Sequence, residues 1–272
     1  MKIRTCLAIA ALCGAALTPL GAKPAAAQDA EDLAQQLANP VASLVSVPLQ
    51  FNIDEGFGPD GDGRRSVLNI QPVIPFSLGE DLNLISRTIV PMIRQEDIGP
   101  GTGTQSGVGD VLQSFFISPK APTAGGVIWG VGPVFLLPTA SDDLLGTGKW
   151  AAGPTGVVLV QRGPWTVGGL ANHLWSFAGD DDRQDVNRTF LQPFASYTTD
   201  NAWTFTLQTE TSYDWETEQW TVPINAVASK LVRIGQQPVS LFGGVRYWAE
   251  APDGGPEGWG VRFGMTFLFP RG

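Results

Sequence analysis

The chain has 272 residues, with 17 basic against 26 acidic, 33 glycines, 21 prolines and 10% aromatic residues. So much Gly and Pro argues against a helical protein, since both destabilise helix interiors. A net charge of −9 without a basic patch argues against nucleic-acid binding.

The first 27 residues read as an export signal. Lys2 and Arg4 give a positive start, Cys6 to Leu20 form a 15-residue apolar stretch, and Ala25-Ala26-Ala27 offers a small-residue cleavage site. The stretch is too short to span a bilayer as a helix. Neither cysteine is preceded by the small residue a lipoprotein signal needs. The expected mature chain, 28–272, carries 14 basic and 26 acidic residues and has no apolar run of 18. Both cysteines, Cys6 and Cys13, fall in the signal, which excludes disulfides, cysteine metal sites and thiol nucleophiles from the mature chain.

Residues 28–42 form an N-terminal leader. Within it Asp29 to Asn39 is helical in pattern, with Leu33 and Leu37 at i, i+4 beside Ala30 and Ala34, and Pro40 ends it. This piece either covers the periplasmic mouth of the domain after it or hangs as a flexible leader.

From residue 43 to the end the chain breaks into about twelve strand-like runs, near 43–54, 65–77, 82–94, 107–119, 126–138, 149–162, 164–177, 187–199, 202–215, 219–232, 238–249 and 258–269. Period-2 alternation is clearest late. Trp203, Phe205, Leu207, Thr209, Thr211, Tyr213 and Trp215 share one face, against Thr204, Thr206, Gln208, Glu210, Ser212 and Asp214 on the other. Trp259, Val261, Phe263, Met265, Phe267 and Phe269 likewise oppose Gly260, Arg262, Gly264, Thr266 and Leu268. Pro72, Pro133, Pro193 and Pro223 fall inside these runs, where a missing N–H predicts breaks in the ladder.

The connections alternate in length. Gly79 to Asp81, Ala121 to Gly125, Arg162 to Pro164, Asp200-Asn201 and Gly235 to Gln237 are short. Those at the other end are mostly longer, and with Asp54 and Asp214 they hold 18 of the 26 acids. All nine tryptophans lie near strand ends, at the depth where indoles favour a membrane interface. Alternating strands with short turns at one end and long loops at the other define an all-β, transmembrane up-and-down antiparallel barrel. Its expected setting is the outer membrane of a Gram-negative bacterium, as a monomer among lipids and lipopolysaccharide.

Several segments also carry a family resemblance. They are Asn39 to Gln50 (NPVASLVSVPLQ), Trp129 to Pro133 (WGVGP), Leu136 to Thr139 (LLPT), Gly163 to Gly168 (GPWTVG), Gly244 to Glu250 (GVRYWAE) and Gly254 to Gly260 (GGPEGWG). Together they resemble the Gram-negative outer-membrane proteins labelled "transporter", "neuromedin U" (a misnomer) or "MetA-pathway of phenol degradation" family. The resemblance spans nearly all of residues 28–272. It implies an outer-membrane barrel suspected of passing small, often aromatic or hydrophobic, molecules, and it supplies no catalytic residues.

The lumen is the foremost candidate site. Parity turns Glu210, Arg246 and Arg262 inward, with Gln208 and Asn225 nearby and Arg87 joining from the third strand. Charge facing lipid at mid-depth costs roughly 2–4 kcal/mol for Arg, so these groups pair inside. They form either a salt-bridged plug or a constriction that selects solutes. Phe242 and Trp248 are expected as inward aromatics near the outer mouth, suited to a hydrophobic solute.

Two further constellations are weaker. Asp180, Asp181, Asp182 and Asp185 lack the glycine and bidentate glutamate of a calcium loop. Loose Ca²⁺ or Mg²⁺ association is the most they would give, and no cofactor is expected. His173, the single histidine, has Asn172 beside it and Ser176 three residues on, which on a strand points to the opposite face. A lipid hydrolase is therefore the least favoured function. Ahead of it stand a small-molecule channel and, as the alternative, a closed barrel that binds through its acidic loops.

Overall fold

The computed structural model describes residues 25–270, with side chains from residue 29 onward. The expected signal segment therefore lies outside the described residues up to residue 24.

One helix, α1 (Ala25–Leu37), precedes twelve barrel strands. These are β1 (Val45–Phe57), β2 (Gly63–Ile70 continued by Val73–Leu78), β3 (Leu82–Glu96) and β4 (Thr104–Val108 continued by Val111–Pro119). Next come β5 (Val127–Leu137), β6 (Lys149–Arg162), β7 (Trp165–Gly179) and β8 (Asn187–Thr198). The last four are β9 (Trp203–Thr209 continued by Thr211–Asp214), β10 (Gln219–Ile234), β11 (Gln237–Glu250) and β12 (Gly258–Phe269). Each is antiparallel to its sequence neighbours, and β12 closes on β1 in a register running from Val45↔Phe269 to Ile53↔Val261. Closure leaves no edge strand, so the backbone groups are satisfied within the sheet, as a hydrocarbon environment requires.

The expected strand order and number hold. The breaks fall where proline or glycine disturbs the ladder. Pro72 separates the two parts of β2, whose register on β1 and β3 is the same on both sides. Gly109 and Asp110 interrupt β4 with a shift of register against β3. Pro193 and Pro223 lie on the two strands beside the interruption of β9 at Glu210, whose N–H still reaches the Pro223 carbonyl at 3.3 Å. Pro133 does not break β5. It faces Pro154, so the two missing donors coincide.

Alternation decides the two faces. Leu207 (58% exposed), Phe205, Val261 and Phe263 point outward, while their neighbours Thr204, Arg262, Thr266 and Leu268 are buried inward. Seven of the nine tryptophans (Trp150, Trp165, Trp175, Trp203, Trp215, Trp220 and Trp259) are exposed on the outer surface near strand ends. Aromatic partners gather there, as in Trp165 with Tyr197 and Tyr213 with Trp215 and Trp220. An apolar outer wall with aromatic ends is the surface a bilayer solvates. Among the described residues no helix is long and apolar enough to cross a membrane.

Candidate functional site: a plugged lumen

Two structures occupy the lumen, one at each level. The lower is α1. Ala30, Leu33, Ala34 and Leu37 recur at helical spacing and press on Leu44, Ala202, Leu231 and Leu268, near the short-turn end of the barrel. Gln35 fastens the helix to the β6–β7 turn, donating to the Gly163 carbonyl at 3.1 Å, while Gln161 donates to the Gln35 carbonyl at 2.9 Å. Between the two placements open from sequence, the leader therefore covers the mouth. The chain then crosses to β1. The Asn39 side chain accepts from the Val41 N–H at 3.0 Å, and Val41 inserts among Ile85, Phe116, Val157, Leu159, Leu170 and Phe194. That cluster gives the β3–β8 side of the lumen an apolar lining.

The upper structure is a polar network on the opposite arc, and it gathers the predicted residues. Arg262 on β12 grips Glu210 on β9 through two parallel bonds of 2.8 and 2.7 Å. Arg246 on β11 reaches the same Glu210 at 3.2 Å and Asp54 on β1 at 3.0 Å. Asn225 on β10 accepts from Arg246 Nε at 3.0 Å, as its cross-strand partner. Gln208 donates to Glu210 at 3.3 Å and accepts from Gln192 at 3.1 Å. Arg262 and Asn225 are 2% and 0% exposed. The planar guanidinium forks match the carboxylates bidentately, and burial is tolerable because nearly every donor has a partner.

Asn52, Asp54 and Arg65 complete this network and were not singled out from sequence. Asn52 accepts from both arginines, at 2.8 Å from Arg262 Nε and 3.1 Å from Arg246 Nη2. Asp54, grouped above with the outward acids, lies inside the lumen because β1 runs on to Phe57. The signal for it was parity, since Asp54 shares a face with Gln50 and Asn52. Arg65 is the cross-strand partner of Asp54, and its buried Nε has no hydrogen-bond partner.

Gly260 makes room for this arrangement. A Cβ there would sit 2.3 Å from Asp54 Oδ1. Trp248 holds the same carboxylate from the outer side, donating from Nε1 at 3.0 Å, with Arg246 lying 5.2 Å from its ring centre. Trp248 is thus an inward aromatic toward the outer mouth, as expected. Phe242 is not. It is the sixth residue of a strand that starts at Gln237, so it lies near mid-barrel and lines a cavity rather than the mouth.

That cavity, of about 280 Å³, lies between α1 and the network. Arg87, Arg262, Gln71 and Gln208 line it, together with Phe194 and Phe242. Arg87 does not join the ion pairs. It donates to Gln71 at 3.3 Å.

The two weaker constellations come apart. Asp180 turns back to accept from the Asp182 N–H, while Asp185 bonds Ser176 and Lys149. Among the described residues no three acidic, histidine or cysteine side chains converge for a metal, so the aspartate group is corrected to separate loop contacts. The Lys149 ammonium and Ser176 hydroxyl hold the Asp185 carboxyl below the usual carboxylate range. His173 faces outward, 3.9 Å from the Trp175 ring centre, with Nδ1 at Thr189 and Nε2 at Asn187. Ser176 bonds Asp185 and the Val186 N–H instead.

The fold and site define a closed, twelve-stranded transmembrane barrel whose lumen has one apolar and one polar side and holds the N-terminal helix at its short-turn end. No protein-family model matches the chain, and no curated protein matches it. Among solved structures, an outer membrane channel from Pseudomonas putida F1 has the same fold at TM-score 0.66, with 14% identity over 84% of this chain and 96% of that one. The KdgM porin, solved in complex with disordered oligogalacturonate, matches at TM-score 0.45, with 11% identity over 83% of this chain and 100% of that one. That second likeness is too loose to carry an argument.

Proposed function

We propose that the protein is a passive outer-membrane channel for small molecules, set among lipids and lipopolysaccharide, and a member of the family its sequence resembles. The observation that carries this reading is the cavity between α1 and the arginine network, which lies within a closed barrel and is partly lined by polar groups. Eight strands leave room only for side chains, while 16 or more leave an aqueous pore. Twelve strands enclose intermediate space, and here two separate structures narrow it. No energy-coupling domain is needed for diffusion down a gradient. The resemblance and the apolar lining around Phe116, Leu170 and Phe194 favour solutes with a hydrophobic or aromatic part. The long-loop rim faces outward.

A second reading, a structural or surface-binding barrel with a closed lumen, is favoured by the burial of the network and the docking of α1. Conductance of the purified protein in planar bilayers separates the two. Discrete current steps are expected, and a silent bilayer across voltages and salts would sink the channel reading.

A further inference from the structure

Around the network and the cavity beside it, four arginines, Arg65, Arg87, Arg246 and Arg262, stand with two carboxylates, Asp54 and Glu210. Arg246 engages both carboxylates and Arg262 engages Glu210. Arg87 makes its hydrogen bond to neutral Gln71 and feels Glu210 only at a distance, and the Nε of Arg65 has no hydrogen-bond partner. A buried cation without a directly bonded counter-ion is costly, so a wall that keeps one beside a cavity is shaped for a guest that supplies it.

The cavity presents both halves of such a guest's requirements. Arg87, Gln71 and Gln208 offer N–H donors to it, while Leu170, Phe194 and Phe242 offer apolar surface. Its volume of about 280 Å³ is at the lower edge of the roughly 300–1,000 Å³ usual for small-molecule sites. A single ring or short branched chain is the scale that fits.

We infer that the cavity is a binding site for a small organic monoanion with an apolar body, its carboxylate at Arg87 and its body against Phe194 and Phe242. This rests on the channel reading and names the class of solute that the conduit holds.

The test uses the full barrel in planar bilayers, with benzoate as probe and its neutral analogue benzamide as control. Benzoate is expected to block the ion current, and benzamide to bind at least about tenfold more weakly, since a hydrogen bond to a charged group is worth about 1.5–3 kcal/mol. Arg87→Gln is expected to abolish that preference, and a salt-gradient reversal potential to show chloride preferred over potassium. If the channel conducts but prefers potassium, or if benzoate and benzamide block alike in the wild type, the inference fails while the channel reading stands. A silent bilayer overturns both. Because the benzoate and benzamide comparison needs only the wild type, a poorly folding Arg87→Gln leaves the proposal open to refutation.

Discussion

Arg262 and Glu210 meet across two intervening strands through paired bonds of 2.8 and 2.7 Å, although they stand 52 residues apart in sequence. Glu210 also accepts from Arg246, so one carboxylate neutralises two guanidinium groups. Removing it takes away Arg262's carboxylate and one of the two that hold Arg246. Glu210→Gln is therefore expected to destabilise the barrel by about 3–5 kcal/mol, the usual cost of breaking a buried pair from one side. Reversible urea unfolding in detergent or lipid vesicles measures it. A loss below about 1 kcal/mol would show that the pair behaves like an exposed one.

Gly260 leaves the space that Asp54 fills. Gly260→Ala places a Cβ 2.3 Å from Asp54 Oδ1 and forces the carboxylate away from Trp248 and Arg246. The expected loss is about 1–3 kcal/mol, typical of overpacking. A shifted Trp248 emission would accompany it. The reverse outcome, unchanged stability and emission, would mean that Asp54 moves freely.

The helix α1 is held by a small apolar face and two glutamine contacts, with no covalent tie. Deleting residues 28–42 is expected to raise single-channel conductance without unfolding the barrel. Ala34→Glu, which puts a charge into the contact with Leu231 and Leu268, should give a milder increase with frequent flickering. Equal conductance with and without the segment would remove α1 from the conduit.

The Asp185 carboxyl titrates below its ordinary range because Lys149 and Ser176 bind its charged form. A depressed folded value means that the contact is fully present above the ordinary carboxylate range and is lost as pH falls through the folded value. Protection of the loop 180–186, measured relative to the intrinsic exchange rate at each pH, should therefore be high at neutral pH and fall under acid. Asp185→Asn should show low protection at every pH. Acid-insensitive protection in the wild type would refute this.

The outward tryptophans give a test of orientation. Brominated lipids should quench variants that keep only Trp259 or Trp203 strongly and one that keeps only Trp248 weakly, because Trp248 points inward to Asp54. Strong quenching of Trp248 would reverse the parity of β11.

Much of this was legible in residue order. A strand has a side-chain period of two, so Trp203, Phe205 and Leu207 could not share a face with Thr204, Thr206 and Gln208. Only one of these faces suits lipid. Turn lengths and end-placed tryptophans added the direction, and parity turned Glu210, Arg246 and Arg262 inward correctly. The errors came from depth rather than from face. Asp54 was grouped with loop acids because the end of β1 was placed three residues short, and Phe242 was put at the mouth although its strand starts at Gln237.

The sequence by itself determined the twelve strands, their faces and the ends carrying acids and indoles, because these follow from local periodicity and turn chemistry. Which inward groups meet was decided only by the tertiary structure. Asp54 and Arg246 are 192 residues apart, and they touch because β12 closes on β1 in one particular register. A one-residue slip there would turn one strand's inward set toward lipid. The seat of α1 was decided in the same way. Its apolar face was readable, but the surface that receives it, from Leu44, Ala202, Leu231 and Leu268, exists only once four separated pieces of chain come together at one end of the closed barrel.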